Sequence, residues 1–378
     1  MKKNKRIRVL HLISGDLWAG AEAQAAILLS WLKRNPELEL SAIIFNQGRL
    51  SRKLESIGIP VYVLDEKKCN SFRLFLKVRR VLSKHRVQVL HTHRYKENLI
   101  GGVAALFSGV PYLVKTVHGL DESFSGIKKI KANLYNFLDR WTTRFLFDKI
   151  IAVSSHMAER AEKELHAAPV ACIHNGVDLQ KIKVNKSKIE VKRNLGIEGN
   201  SPLIGTAGRL VPVKGLDFLL KAAKIMQKKF PRLKVLIIGE GPERKNLESA
   251  ASKLGINSQL IFTGEREDVH DLIYAMDLFV LPSLSEGIPM VLLEALALEV
   301  PVVVSAVGGI PEVITHQFTG FLVSPKKEQA LANACLHLLE NKALANAVAL
   351  KGKEIVKTKF SAEIMAQKVF RLYEVLVA

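Results

Sequence analysis

The sequence predicts an α/β protein made of two doubly wound, parallel-sheet domains. A length of 378 residues exceeds one typical domain and suits two, each able to bury its own core. Short β-branched runs alternate with longer helical patterns, which is the rhythm of βαβ units and parallel sheets. That rhythm stops in a polar stretch near residue 190 and then restarts.

In the first half the expected strands are Arg8 to Ile13, Ser41 to Phe45, Val61 to Leu64, Val87 to His91, Tyr112 to Val117 and Lys149 to Val153. In the second they are Leu203 to Ala207, Lys234 to Ile238, Gln259 to Phe262, Leu278 to Leu281 and Val300 to Val304. The domains are therefore drawn as residues 1–180 and 202–360. Residues 181–201, lysine-rich and ending in Glu-Gly-Asn-Ser-Pro, read as a surface linker. Residues 361–378 read as an amphipathic helix with Ser361 as N-cap, free to pack back on the first domain.

Hydrophobic residues form 48% of the chain and charged residues 24%, which excludes disordered and fibrous classes. Cys69, Cys172 and Cys335 are odd in number, far apart and without CxxC spacing. Neither a disulfide framework nor a zinc site is expected, and a reducing cytoplasm is the natural compartment. The opening MKKNKRIRVLHLIS has a basic head, but Arg8 and His11 interrupt a short apolar run, so it reads as a strand and not as a signal peptide. The longest uncharged stretch, Leu99 to Val114, holds three glycines and a proline and is shorter than the ~20 residues a spanning helix needs.

The net charge of +20 is uneven: residues 1–190 hold 33 Lys and Arg against 17 Asp and Glu, residues 191–378 only 23 against 19. A basic first half attracts anionic lipid surfaces, nucleic acid or phosphate-bearing ligands, and charge alone does not choose among them.

Ligands of open parallel sheets bind beyond the carboxyl ends of the strands, so chemistry is expected in the loops there, with the two sheets facing across a cleft. After the first strand, Ser14-Gly15-Asp16-Leu17-Trp18-Ala19-Gly20-Ala21-Glu22 opens a helix whose N–H groups and dipole can hold an anion. The same glycines equally serve a tight turn. After the first strand of the second domain, Gly208-Arg209-Leu210-Val211-Pro212-Val213-Lys214-Gly215 places two cations five residues apart before a helix. Arginine offers a planar fork to phosphate oxygens and lysine a point charge, although in a chain this basic two solvated cations are an equal reading.

Further on, Pro282-Ser283-Leu284-Ser285-Glu286-Gly287-Ile288-Pro289-Met290 leads into a helix beginning near Pro289, a favoured early position. Glu286 falls in the loop and Glu294 in the helix. Their spacing is uninformative, because Glu190 with Glu198 and Glu240 with Glu248 repeat it. Their apolar surroundings are informative: carboxylates among Met290, Val291, Leu292, Leu293, Ala295 and Leu296 need partners such as hydroxyls.

Taken together, Arg209, Lys214, Glu286 and Glu294 resemble the donor site of glycosyltransferase family 4, whose fold is called GT-B. The resemblance covers nearly the whole chain. It also includes the Gly15 to Glu22 loop, Val117-His118-Gly119, Ile151-Ala152-Val153-Ser154, Asn175-Gly176-Val177-Asp178, Gly239-Glu240-Gly241-Pro242, Phe262-Thr263-Gly264 and Pro301-Val302-Val303.

The resemblance implies a retaining transferase that moves a hexose-type sugar from a nucleotide diphosphate sugar, a UDP-sugar first, to a saccharide or lipid-linked acceptor. Surface polysaccharide, glycolipid or lipopolysaccharide assembly is the implied setting. Arg209 and Lys214 would neutralise the leaving diphosphate, helped by the backbone of Gly287, Ile288, Pro289 and Met290. Glu294 would hold the ribose, and Glu286 and His118 would lie by the transferred sugar. Gly15, Gly20 and Gly264 would line the donor, with Glu22, His91 and His93 on the acceptor side. Taken alone, His118 is as readily a hydrogen-bonded loop residue, and His91 with His93 have the spacing of a metal pair. The family needs neither metal nor cofactor, and this chain has no Asp-x-Asp for a divalent ion.

Three positions depart from the family pattern: Val213 stands where an acidic residue is common, His174 where proline is, and Glu299 where glycine is. Two cation-rich helical stretches with aromatics, Phe72 to Arg80 and Ile127 to Phe147 with Lys128, Lys129 and Lys131, are similar to interfacial membrane segments and equally to ordinary amphipathic helices. With the resemblance they imply a cytoplasmic protein held peripherally on an anionic inner membrane face. Two other readings fit some of the same residues. A nucleotide-sugar epimerase has the same fold without an acceptor, and a basic nucleic-acid-binding protein satisfies the charge criterion but lacks a recognisable module.

Overall fold

The computed structural model describes residues 6–15, 18–119, 127–165 and 168–378, without side chains for 127–136 and 165. Asp16 and Leu17 of the first glycine loop and the side chains of Lys128, Lys129 and Lys131 lie outside the described residues. The chain divides into two compact units, Met1–Gly176 with Ala362–Ala378, and Val177–Ser361.

The first unit carries strands β1 (Ile7–Ile13), β2 (Leu38–Ile44), β3 (Val61–Val63), β4 (Val89–Thr92), β5 (Tyr112–Val117), β6 (Lys149–Ala152) and β7 (Val170–Cys172). They pair in the order β3-β2-β1-β4-β5-β6-β7, every pair parallel. In β1, Val9 and Ile13 pack in the core on one face and Leu10 and Leu12 in the core on the other, so both faces are buried and the strand reads as an apolar run. Helix Gly20–Leu32 covers one face with Ala25, Leu28, Leu29 and Leu32, and the C-terminal helix Ala362–Val377 packs beside it through Met365, Ala366, Val369 and Tyr373. Each buried Leu, Val or Met contributes about 1.5–3 kcal/mol of apolar burial, an upper bound.

The second unit carries β8 (Leu203–Ala207), β9 (Lys234–Ile238), β10 (Leu260–Gly264), β11 (Leu278–Leu281), β12 (Val302–Ser305) and β13 (Phe321–Val323). Their order is β10-β9-β8-β11-β12-β13, again all parallel. Each sheet reverses its winding at one place, between β1 and β4 in the first and between β8 and β11 in the second. Loops diverge there, which is where an open α/β sheet has room for a ligand.

Residues 181–201 are not a linker. They hold helix Lys188–Asn194, with Ser187 capping it from its side chain and Val191 and Ile197 buried. Lys192 turns inward to donate to Ser201 O at 3.0 Å and to Asp277 Oδ2 at 3.1 Å. The lysine-rich surface masks an amphipathic helix of the second unit. Strands β7 and β13, three residues each, are absent from the sequence-based expectation. Among the described residues no helix is long and apolar enough to cross a membrane.

Candidate functional site

In the second unit, the loops after β8 and β11 open from the switch point and are bonded to each other. Leu284 N donates to Val213 O at 2.8 Å. The β9 loop joins them, Leu210 N donating to Glu240 O at 2.9 Å and Glu243 N to Leu210 O at 3.0 Å. Glycine is required at two of the contacts. Gly215 has φ 60° and a Cβ there would stand 2.3 Å from Pro282 O; Gly308 has φ 54° and its Cβ would stand 1.7 Å from Glu286 O. The loop after β12 therefore backs the Glu286 loop at main-chain contact.

This scaffold brings Lys214 to Glu286. Lys214 Nζ donates to Glu286 Oε1 at 2.7 Å, with side-chain exposures of 21% and 10%, and Ser283 Oγ donates to the same oxygen at 2.7 Å. A partly buried ammonium and carboxylate thus satisfy each other while a face of each stays open. Arg209 is half-buried on the same loop as Lys214. Helix Met290–Ala297 begins after Pro289, whose own side chain forms no cap. Glu294 is half-buried on that helix among buried Leu292, Leu293, Ala295 and Leu296. Gly264 closes β10, its carbonyl accepting from Gly239 N at 2.8 Å.

In the first unit, the switch point holds a cluster that sequence reasoning found only in part. His11 on β1 stands level with His91 on β4. His93 follows β4 and His118 follows β5. His118 Nε2 lies 3.0 Å from His93 Nδ1, and His93 Nε2 3.0 Å from His11 Nδ1. His11 Nε2 lies 3.2 Å from Tyr373 Oη, that hydroxyl 2.5 Å from His91 Nδ1, and His91 Nε2 2.7 Å from Thr116 Oγ1. Burial pushes His11 and His118 down to about 3, with Arg94 adding to the effect on His118. His91 and His93 are held well below their usual value by burial and then by the neighbouring histidines. Nitrogens of His11, His91 and His93 lie close enough to hold a metal ion, yet all six are already hydrogen bonded as described.

Glu22, fully buried in the first turn of its helix, pairs with Arg94 at 2.7 Å and accepts from Ala19 N at 3.2 Å. Ser14 donates to Glu97, whose carboxyl burial pushes upward. Gly15 has φ 77°, and a Cβ there would meet Ile44 Cγ2 at 2.3 Å, whereas a Cβ on Gly20 meets nothing within 4 Å. Turn geometry accounts for the first glycine and not for the second. His91 and His93 are buried at 0% and 2%, so they reach no solvent-facing acceptor surface of the unit directly. His11, Arg94, Glu97 and Tyr373 were not anticipated as site residues, and Ser14 only as part of the loop after β1. The available signal was histidine inside the apolar strand β1, where a polar side chain needs a partner.

On the helices Ser71–Lys84, Tyr95–Leu106 and Ile127–Leu146, which pack side by side, large apolar side chains face solvent: Phe72, Phe137, Trp141 and Phe145, with Phe107 just after the second helix. Exposed Arg73, Arg79, Arg80, Arg140 and Arg144 lie among them.

Family models agree with the division into two halves. The model described as Glycosyltransferase Family 4 matches residues 20–181, and that described as Glycosyl transferases group 1 matches residues 187–355. Among curated relatives, the UDP-Gal:alpha-D-GlcNAc-diphosphoundecaprenol alpha-1,3-galactosyltransferase of Escherichia coli is 27% identical over 90% of this chain and 90% of its own. A glycosyltransferase of Bacillus subtilis (strain 168) provisionally named for teichuronic acid biosynthesis, TuaC, is 30% identical over 72% of this chain and 67% of its own. Among solved structures, Anabaena Alr3699/HepE in complex with UDP-glucose superposes with a TM-score of 0.83 at 23% identity, over 98% of this chain and 100% of that one. The shared fold is GT-B.

Proposed function

We propose that this chain, which belongs to glycosyltransferase family 4, transfers a hexose-type sugar from a UDP-sugar to a saccharide or lipid-linked acceptor of a surface polysaccharide or glycolipid, with retention of anomeric configuration. The observation that carries the proposal is the Lys214–Glu286 pair at the switch point of the second unit, on loops that also hold Arg209 and lead to Glu294. UDP is supported by the HepE complex, and a lipid-linked acceptor by the name of the Escherichia coli relative.

Departure of a diphosphate develops negative charge on the leaving oxygen, and preorganised cations there lower the barrier. We assign this to Arg209 and Lys214, with backbone donors of the Gly287, Ile288, Pro289 and Met290 segment, in a chain without Asp-x-Asp. Glu294 then holds the ribose hydroxyls, Glu286 a hydroxyl of the transferred sugar, and His118 another. Gly264 and Gly20 leave backbone room beside the ligand, while Gly15 shapes the turn before it. Glu22, His91 and His93 serve the acceptor side as buried supports. Retention requires the acceptor hydroxyl to approach the face from which the diphosphate leaves, so positioning carries much of the rate.

The exposed aromatic and arginine surface of the first unit supports peripheral binding to an anionic membrane. Vesicle flotation checks it. Binding to anionic but not zwitterionic vesicles is expected, and loss in Phe72→Ser with Trp141→Ser; equal binding to both would sink the electrostatic part.

The donor is tested by thermal stabilisation in EDTA with UDP-, GDP-, ADP- and CDP-sugars. A UDP-sugar should raise Tm in wild type and fail in Arg209→Ala and Glu294→Ala. No stabilisation by any of them would overturn the assignment. The anomeric configuration of the product, read by NMR, decides retention.

A further inference from the structure

We propose that Tyr373, His11 and His93 form a directional hydrogen-bond relay that holds His118 as the Nδ1–H tautomer, so that its open end offers a hydrogen-bond donor to an oxygen of the sugar. The consequence for transfer rests on the role proposed above for His118; the tautomer does not.

The relay runs without a gap from His118 through His93, His11 and Tyr373 to His91 and Thr116, at 3.0, 3.0, 3.2, 2.5 and 2.7 Å. Burial and mutual proximity keep these imidazoles neutral, and a neutral imidazole has one N–H and one bare nitrogen. Every link needs one donor and one acceptor. Each imidazole passes the direction of one link to the next. Two arrangements satisfy all five links and also use the Tyr373 proton, whereas a third, in which Tyr373 Oη accepts from both His11 and His91, leaves that proton without a partner among the described residues and His118 Nδ1 bare.

In the first arrangement Thr116 Oγ1–H donates to His91 Nε2, and His91 Nδ1–H to Tyr373 Oη. Tyr373 O–H then donates to His11 Nε2, His11 Nδ1–H to His93 Nε2, and His93 Nδ1–H to His118 Nε2. The proton of His118 is left on Nδ1. In the second arrangement every link is reversed and His118 Nδ1 is bare. Thr116 Oγ1, in a residue only 3% exposed, has no hydrogen-bond partner but His91 among the described residues, so the second arrangement strands its hydroxyl proton as well. The first arrangement leaves unmet only the N–H of His118 Nδ1. That atom is buried and has no partner among the described residues, as expected of a group waiting for a ligand.

The elements involved explain why the relay exists. β1, β4 and β5 are neighbours at the switch point, and the C-terminal helix, returning to the first unit, supplies the one hydroxyl able both to donate to His11 and to accept from His91. Tyr373 is accordingly a positioning residue that acts on His118 through two other side chains.

The test is two-bond 1H–15N spectroscopy of the full chain with 15N-labelled imidazoles at pH 7, the His118 signal being identified by its loss in His118→Asn. Wild type should show His118 as Nδ1–H. Tyr373→Phe keeps the ring but breaks the relay and should turn His118 into a tautomer mixture; should that variant not fold, His11→Gln breaks the relay from β1 and predicts the same mixture. An Nε2–H tautomer in wild type, or a His118 signal unmoved in the relay variants, overturns the proposal. So does a stoichiometric metal on His11, His91 and His93, which would take nitrogens that the relay uses. On a donor that stabilises the protein, kcat should fall roughly tenfold in Tyr373→Phe with KM little changed. An altered tautomer with kcat intact keeps the relay and removes the role of His118 in transfer. Loss of donor stabilisation in Glu294→Ala tests the donor site separately.

Discussion

Lys214 and Glu286, 72 residues apart, form one charge-assisted hydrogen bond of 2.7 Å across the switch point of the second sheet. Neither side chain is enclosed, and each retains capacity for a ligand, the ammonium two further protons and the carboxylate a second oxygen. In the role proposed for it, a lysine held in this way would meet a diphosphate without first being ordered. Lys214→Ala is expected to lower kcat/KM by about 10²–10³-fold, and Lys214→Arg to recover little of it, because a planar fork does not replace a point charge at this distance from Glu286. Steady-state kinetics of the two variants beside Glu286→Gln provide the check, with strong non-additivity in the Lys214→Ala/Glu286→Gln double variant.

Gly15→Ala and Gly20→Ala should separate geometry from ligand approach. The first forces a side chain onto φ 77° and into Ile44, and is expected to destabilise by more than about 1 kcal/mol. The second meets open space in a helix start and should leave Tm unchanged or slightly raised while impairing turnover. Paired Tm and kcat/KM measurements read both, and a stable, fully active Gly20→Ala would remove Gly20 from the ligand site.

Stability should rise steeply with pH between about 3 and 6.5. His11, pushed by burial down to about 3 in the folded chain against 6.5 for the free side chain, stays neutral in the native state while the unfolded chain takes up a proton. His91 and His93 shift the same way. A depressed histidine destabilises below its unfolded pKa, so the contribution is lost as pH falls through 6.5. Each such histidine adds about 1.4 kcal/mol per pH unit of slope within the window. Urea unfolding from pH 4.5 to 7.5 checks the sign, and His11→Phe should flatten the slope.

Lys115 is the cation most deeply set in the first unit among the described ion pairs, its side chain 4% exposed. Its Nζ donates to Asp139 at 2.9 Å and to Thr143 at 2.8 Å, and Asn98 donates to Asp139 at 2.7 Å. Lys115→Met leaves a carboxylate with half its partners, and a loss of about 3–5 kcal/mol is expected in urea unfolding. Adding Asp139→Asn should restore part of it.

Glu299, standing where family members commonly have glycine, adopts φ 56°. The left-handed conformation costs a residue with a Cβ about 1–2 kcal/mol, and its exposed pairing with Lys353 returns less than about 1 kcal/mol. Glu299→Gly, set against the greater freedom of glycine in the unfolded chain, should therefore raise stability by up to about 1 kcal/mol, read as a higher Tm.

By itself, the sequence determined the two-sheet architecture and the loops in which ligands are sought. Parallel strands buried on both faces must be apolar and β-branched, and the loops that leave them must carry glycine, so both are written locally in residues such as Val302-Val303-Val304 and Gly208 to Gly215. Local pattern failed where the tertiary structure supplied the meaning. Residues 181–201 read as a linker because their lysines outnumber the two side chains, Val191 and Ile197, that anchor them. The histidine relay was decided only by the fold. His11 and His91 lie on strands, and His118 just after one, that become neighbours through the order β1-β4-β5, and Tyr373 reaches them from a helix 282 residues after His91. Hydrogen bonds over such separations leave no periodic trace, because their partners are chosen by sheet order and helix docking and not by neighbours along the chain.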